Sequence, residues 1–137
     1  MGDLARAIVS AASGLRAQAG RMRLVAENLA NSDSTPAKPG EMPYRRKVAT
    51  FQNQVDRDSG AQTVTLGRVT RDGSAFRSRL DPGHPAADAD GFVKSANVNS
   101  LIEQADMREA QRSYEANLNV IGAARRMIAR TLEILKA

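Results

Sequence analysis

The chain has 137 residues, of which 42% are hydrophobic but only 4% aromatic, with one histidine, no cysteine and a formal net charge of +5. That length suffices for one modest core. The missing cysteines exclude a disulfide framework and a thiolate zinc site, and a single histidine excludes most imidazole-based metal centres.

The basic excess is dispersed: residues 1–31 carry four bases and two acids, 32–96 ten and eight, and 97–137 six and five. Such a distribution suits a mixed solvated surface. A small basic helical nucleic-acid-binding protein, which would gather its charge in a patch, is therefore kept only as the alternative function. No apolar run reaches the roughly 18 residues of a membrane span. The first residues are interrupted by Asp3, Arg6 and Arg16, so they do not read as a cleaved signal peptide.

Residues 1–31 form the first segment. Ile8, Leu15, Met22 and Leu29 recur every seven residues, with Leu4, Ala11, Gln18 and Val25 at the offset positions. This heptad stripe predicts a helix, broken once by Gln18. Gly14 and Gly20 each weaken it by about 1 kcal/mol relative to Ala, so alone in water it is marginal. The stretch "NSDSTPAKPGEMPYRRK" then breaks the pattern with three prolines and ends in Arg45, Arg46 and Lys47.

Residues 32–96 have a different composition. "YRRKVATFQNQV" predicts a short strand, and "QTVTLGRVTRDGSAFRSRL" reads as two β-prone runs around Asp72 and Gly73, a two-residue hairpin signal. The alternation slips phase at Gly67, which predicts a bulge. "DPGHPAADADG" reads as loop.

Residues 97–137 carry the strongest pattern. Met107, Tyr114, Ile121, Ile128 and Leu135 are spaced by seven, and Leu118 and Leu132 widen the stripe. Ser100 and Glu103 have capping-box spacing, with Asn97 and Asn99 as other candidate caps. Acids lie early and bases late, in the order the helix dipole favours. At about 1.5 Å per residue the helix is on the order of 55–60 Å long. The fold class is therefore mainly α. Long N- and C-terminal helices pair as an antiparallel coiled coil, with a small β-hairpin-containing middle. The stripes exceed what that middle covers, so their outer faces call for other subunits.

Little in the chain asks for chemistry. "DADG" at 88–91 resembles the start of a calcium loop, but the twelfth position is Asn99 rather than Glu. His84 lies between Pro82 and Pro85 with no nucleophile-elbow motif near it, and reads as a structural loop residue. No phosphate loop or dinucleotide fingerprint is present, and no enzyme activity, cofactor or small-molecule substrate is expected. The expected subunit-interface residues are Leu4, Ile8, Leu15, Met22, Leu29, Met107, Tyr114, Leu118, Ile121, Ile128, Leu132 and Leu135. Arg45, Arg46 and Lys47 are the expected polar contact, and reversing the charge of Arg45 and Arg46 should weaken assembly without unfolding the middle.

"SGLRAQAGRMRLVAENLANSDSTP" resembles the N-terminal signature of the bacterial flagellar rod and hook proteins: a helix ending in Asn-Leu-Ala-Asn (28–31), followed by Ser or Thr and Pro (34–36). "PYRRKVATFQ" and the run from "DPGHPAADADG" through "RSYEAN" (112–117) extend the likeness towards the proximal rod subunits; residues 52–71 match least. The resemblance implies a structural subunit of the basal-body proximal rod, exported through the flagellar type III apparatus without a cleaved signal. Its terminal helices would assemble with other copies of itself, with other rod proteins and with the adaptor at the basal-body ring. Nucleic acid is not an expected partner.

Overall fold

The computed structural model describes residues 2–136. Helix α1 (Asp3–Ala30) is followed by six short strands, β1 (Lys47–Val48), β2 (Phe51–Val55), β3 (Gln62–Leu66), β4 (Thr70–Arg71), β5 (Arg77–Leu80) and β6 (Phe92–Ser95). The chain ends in helix α2 (Ser100–Lys136). It divides into two compact units, one of Met1–Met22, Thr50–Arg68 and Arg108–Ala137, the other of Arg23–Ala49 and Val69–Met107.

In the first unit the hairpin of β2 and β3 lies beside α1. The strands pair antiparallel with Asn53 opposite Val64. Their turn is built by Asp56, whose carboxylate accepts the Ser59 N–H at 2.9 Å, and by Gly60 at φ +71, a left-handed conformation that favours glycine. Two α1 serines reach the outer edge of β3. Ser13 Oγ accepts the Val64 N–H at 3.0 Å, and Ser10 Oγ donates to the Gln62 carbonyl at 2.5 Å. A Cβ on Gly20 would lie 3.0 Å from the Leu66 side chain, so the missing side chain lets the hairpin approach. The helices also touch each other: a Cβ on Gly14 would stand 2.7 Å from the Asn117 amide, and Arg21 pairs with Glu109 at 3.4 Å.

The second unit is built around Val93, Ala96 and Val98, which are fully buried. β6 shows the alternation of a half-buried strand, with Val93 and Ser95 inward and Phe92 and Lys94 outward. It pairs antiparallel with β5, and β1 with β4. Helix α1 stops because the polar residues after it capture its last carbonyls. The Asn31 side chain donates to the Glu27 carbonyl at 2.9 Å, and the Ser32 hydroxyl to the Leu29 carbonyl at 2.9 Å.

Two sequence expectations change here. The hairpin is not at Asp72 and Gly73. β4 and β5 flank those residues but pair with β1 and β6. A tight two-residue hairpin turn needs positive φ, which among the described residues only Gly40, Gly60 and Gly91 adopt. Instead Asp72 turns the chain by accepting the Ser74 N–H at 2.8 Å. The last helix begins at Ser100, and of the three candidate caps it is Asn99 that acts, its side chain accepting the Leu101 N–H at 3.0 Å. The Ser100–Glu103 spacing is not used as a capping box, because the Glu103 carboxylate is bound elsewhere.

Candidate assembly surface

Asn28, first residue of the Asn-Leu-Ala-Asn motif, sits at the centre of a buried polar clasp. Its carbonyl oxygen accepts the Tyr44 hydroxyl at 2.7 Å and the Lys47 N–H at 3.0 Å. Its amide donates to the Lys47 carbonyl at 2.8 Å and to Glu103 at 3.2 Å. The side chain thus works as a backbone-like partner for the Lys47 groups on the edge of β1 that faces away from β4. Glu103 is fully buried. A buried carboxylate needs a cation and hydrogen bonds, and it finds both in Arg46 Nε and Asn28.

Arg46 also reaches Asp106 at 3.1 Å and Asp72 at 3.5 Å. Burial disfavours its charge, but Glu103, Asp106 and Asp72 overcome that and hold its pKa above the ordinary value. Burial likewise raises the Tyr44 pKa, with Glu27 and Glu103 adding to the effect. Arg45 lies 4.3 Å from the Phe76 ring centre and donates to the Asp72 carbonyl at 2.9 Å. Lys47 pairs with Glu27 at 2.6 Å.

The three cations expected as an outward polar contact are therefore engaged inside the second unit. Reversing the charge of Arg46 would set a carboxylate against the buried Glu103, so this clasp as well as any outward contact depends on it. Sequence reasoning could not see this, because Arg46 and Glu103 are 57 positions apart.

The apolar stripes are treated unevenly. On α1 the buried positions are small, Ala11, Ala17 and Val25 beside Ser13 and Asn28, whereas Leu4, Ile8, Leu15, Met22 and Leu29 are half-buried. On α2 the fully or nearly buried positions are Glu103, Ala110, Ile121 and Ala124, with Met107, Tyr114 and Ile128 half-buried. Leu118 is 51% exposed, Leu132 53% and Leu135 76%. Sequence reading passed over Met127 and Ile134, which are equally open. Their own seven-residue spacing, one position before Ile128 and Leu135, was the available signal. Large side chains thus flank the buried positions, and many stay accessible on the last turns of α2.

The other motifs resolve as local structure. His84 Nδ1 accepts the Ala86 N–H at 3.0 Å, which leaves Nε2 to meet the Thr35 hydroxyl at 3.3 Å. Asp88 accepts the N–H groups of Asp90 and Phe92 at 2.9 Å each and closes the loop before β6. Among the described residues no helix is long and apolar enough to cross a membrane, and no group of three or more His, Asp or Glu is placed to hold a metal ion.

Two long helices held together by a buried polar clasp, with large apolar side chains left exposed along α2, have the form of an assembly subunit. A family model described as the flagellar basal body rod FlgEFG protein C-terminal matches residues 89–134. The chain is 50% identical to the flagellar basal-body rod protein FlgC of Agrobacterium fabrum, over 100% of this chain and 99% of that protein. It is 39% identical to the FlgC of Bacillus subtilis, covering 91% and 93% of the two chains, and 38% identical to that of Salmonella typhimurium, covering 90% and 92%. The chain belongs to the flagellar basal-body rod protein FlgC family. It is a structural component of the bacterial flagellar basal body, not an enzyme, and it assembles with other rod proteins.

Proposed function

We propose that the chain builds the proximal rod by docking its open apolar flank on the helices of neighbouring subunits. Those neighbours are other copies of itself, other rod proteins and the adaptor at the basal-body ring. The observation that carries this reading is the exposure of Leu118, Leu132 and Leu135 on the heptad stripe of α2, with Met127 and Ile134 exposed on the other side of its buried positions. The half-buried Leu4, Ile8, Leu15, Met22, Leu29, Met107, Tyr114 and Ile128 would complete the contact, while Ile121 is buried within its own chain.

Residues 1–31 and 97–137 act as the assembly helices, with 32–96 between them. The helices pair as an antiparallel coiled coil. This is supported by contacts in which one number rises as the other falls: Gly14 with Asn117, then Arg21 with Glu109. At that register Asp3 faces the turn near Ile128, so the last two turns of α2 project beyond α1 with their leucines uncovered.

The test is complementation of an Agrobacterium fabrum strain lacking its own FlgC. The double variant Leu132→Lys, Leu135→Lys should be produced at the normal level, keep its melting temperature and fail to restore swimming. Restored swimming would refute docking through this flank.

A further inference from the structure

The two outer edges of the β2–β3 hairpin are treated differently. The Gly67 N–H donates to the Thr50 carbonyl at 2.7 Å, and the Asp56 N–H to the Ala61 carbonyl at 2.9 Å. The alternation of an antiparallel ladder therefore turns the backbone groups of residues 50, 52, 54 and 56 towards β3, and those of Phe51, Asn53 and Val55 away from it. On β3 the outward groups of Val64 and Gln62 are taken up by Ser13 and Ser10 of α1. On β2 no described residue takes that role, and all five residues are exposed.

Proteins guard such an edge with charge, proline or a bulge, because unpaired N–H and C=O groups recruit another strand. Phe-Gln-Asn-Gln-Val has no charge and no proline, whereas the exposed β5 carries Arg77 and Arg79.

We propose that β2 pairs antiparallel with β2 of a second copy, about a two-fold axis through Asn53. The strand reads nearly the same in both directions. In this register Phe51 stands opposite the second copy's Val55, Gln52 opposite its Gln54, and Asn53 opposite Asn53. An aromatic thereby meets a β-branched residue at each end and amides meet amides between them. The same register pairs all six outward N–H and C=O groups of Phe51, Asn53 and Val55, and moving the axis to another residue leaves some of them unpaired.

A two-fold contact closes on itself, while a shaft with one direction repeats a head-to-tail contact. The β2 pair is therefore a state of chains outside the rod, one that caps this edge and stops at two copies. Five residues a side bury much less than the roughly 1,200 Å² of a standard stable interface, so the pair is weak and driven by high local concentration. The β2 edge contains none of the leucines that dock in the rod.

The absence of native cysteine makes single-cysteine variants of the full chain a clean probe. At high protein concentration, with a one-carbon thiol cross-linker, Asn53→Cys should form covalent dimers in yields several-fold above Phe51→Cys or Val55→Cys alone. An equimolar mixture of the latter two should cross-link at about half the yield of Asn53→Cys, because half of its pairs are mixed and only those set the two thiols opposite each other. Adding Asn53→Pro to both members of that mixture should return the yield to background with an unchanged circular dichroism spectrum, since this N–H points away from β3 and the hairpin does not need it. Equal yields at positions 51, 53 and 55, or none at 53, would overturn the proposal. A correctly folded proline variant that still cross-links would do the same. The three cysteines stand at exposed positions, so their pattern decides the matter even where the proline variant misfolds.

Discussion

Asn28 makes four hydrogen bonds with one carboxamide, and each is lost in a different way on substitution. Asn28→Asp keeps the shape but removes both donors and sets a second carboxylate beside the buried Glu103. The expected loss is at least about 3 kcal/mol of unfolding free energy, read by denaturant titration. Arg46→Lys keeps the charge but not the planar fork that reaches Glu103, Asp106 and Asp72, so it should rescue little of the loss caused by Arg46→Ala. At Gln18 the opposite holds. Its Oε1 is buried without a partner, so Gln18→Leu should raise stability by about 1 kcal/mol. The Asp72 carboxyl is held below the usual range by the Ser74 N–H and hydroxyl, with Arg46 adding to it. The folded chain thus favours the ionised form, and this contribution is lost as pH falls from the unfolded carboxylate range through the lower folded value. Asp72→Asn should flatten that acid limb in a series of denaturant titrations at decreasing pH.

At the scale of the element, two helical glycines separate propensity from packing. Gly122 has room: a Cβ there would meet only the flexible end of Arg126, at 3.4 Å. Gly122→Ala should therefore gain up to about 1 kcal/mol from helix propensity alone. Gly14 has none, since the Asn117 amide lies 2.7 Å from the position of a Cβ and is held by the Ser113 carbonyl at 2.9 Å. Gly14→Ala should lower the melting temperature despite the same intrinsic gain. The helices were legible in the sequence because seven-residue periodicity is a local property of each. The strand pairing was not. β-prone runs at 62–66 and 77–80 are visible, but their partners, β2 and β6, are set by which turn can adopt positive φ and by what each strand packs against. Gly67 closes the β2–β3 ladder, its N–H donating to the Thr50 carbonyl at 2.7 Å.

For the whole molecule, the uneven burial of α2 predicts uneven dynamics. Residues 108–124 include the buried Ala110, Ile121 and Ala124, whereas 129–136 are exposed throughout. Hydrogen exchange on dilute chain should be fastest over 129–136 and slower over 108–124, with the difference disappearing in isolated rods as neighbours cover the leucines. Equal protection along α2 in the dilute chain would mean that its last turns are stable without partners. Arg45, Arg46 and Lys47, the one run of three bases in the sequence, are each committed to a partner within the second unit.

The sequence by itself determined the two terminal helices, the polar break after residue 31, the family and the structural role. Periodicity and helix-ending residues act over a few positions, and the motif "ENLANSDSTP" is read without folding anything. Only the tertiary structure decided that small residues occupy the buried positions while leucines flank them, that Asn28, Arg46 and Glu103 form one clasp, and that β2 keeps an open edge. Each of these depends on groups distant in the chain meeting at hydrogen-bond or van der Waals range, and no local pattern encodes which of many compatible partners lies there.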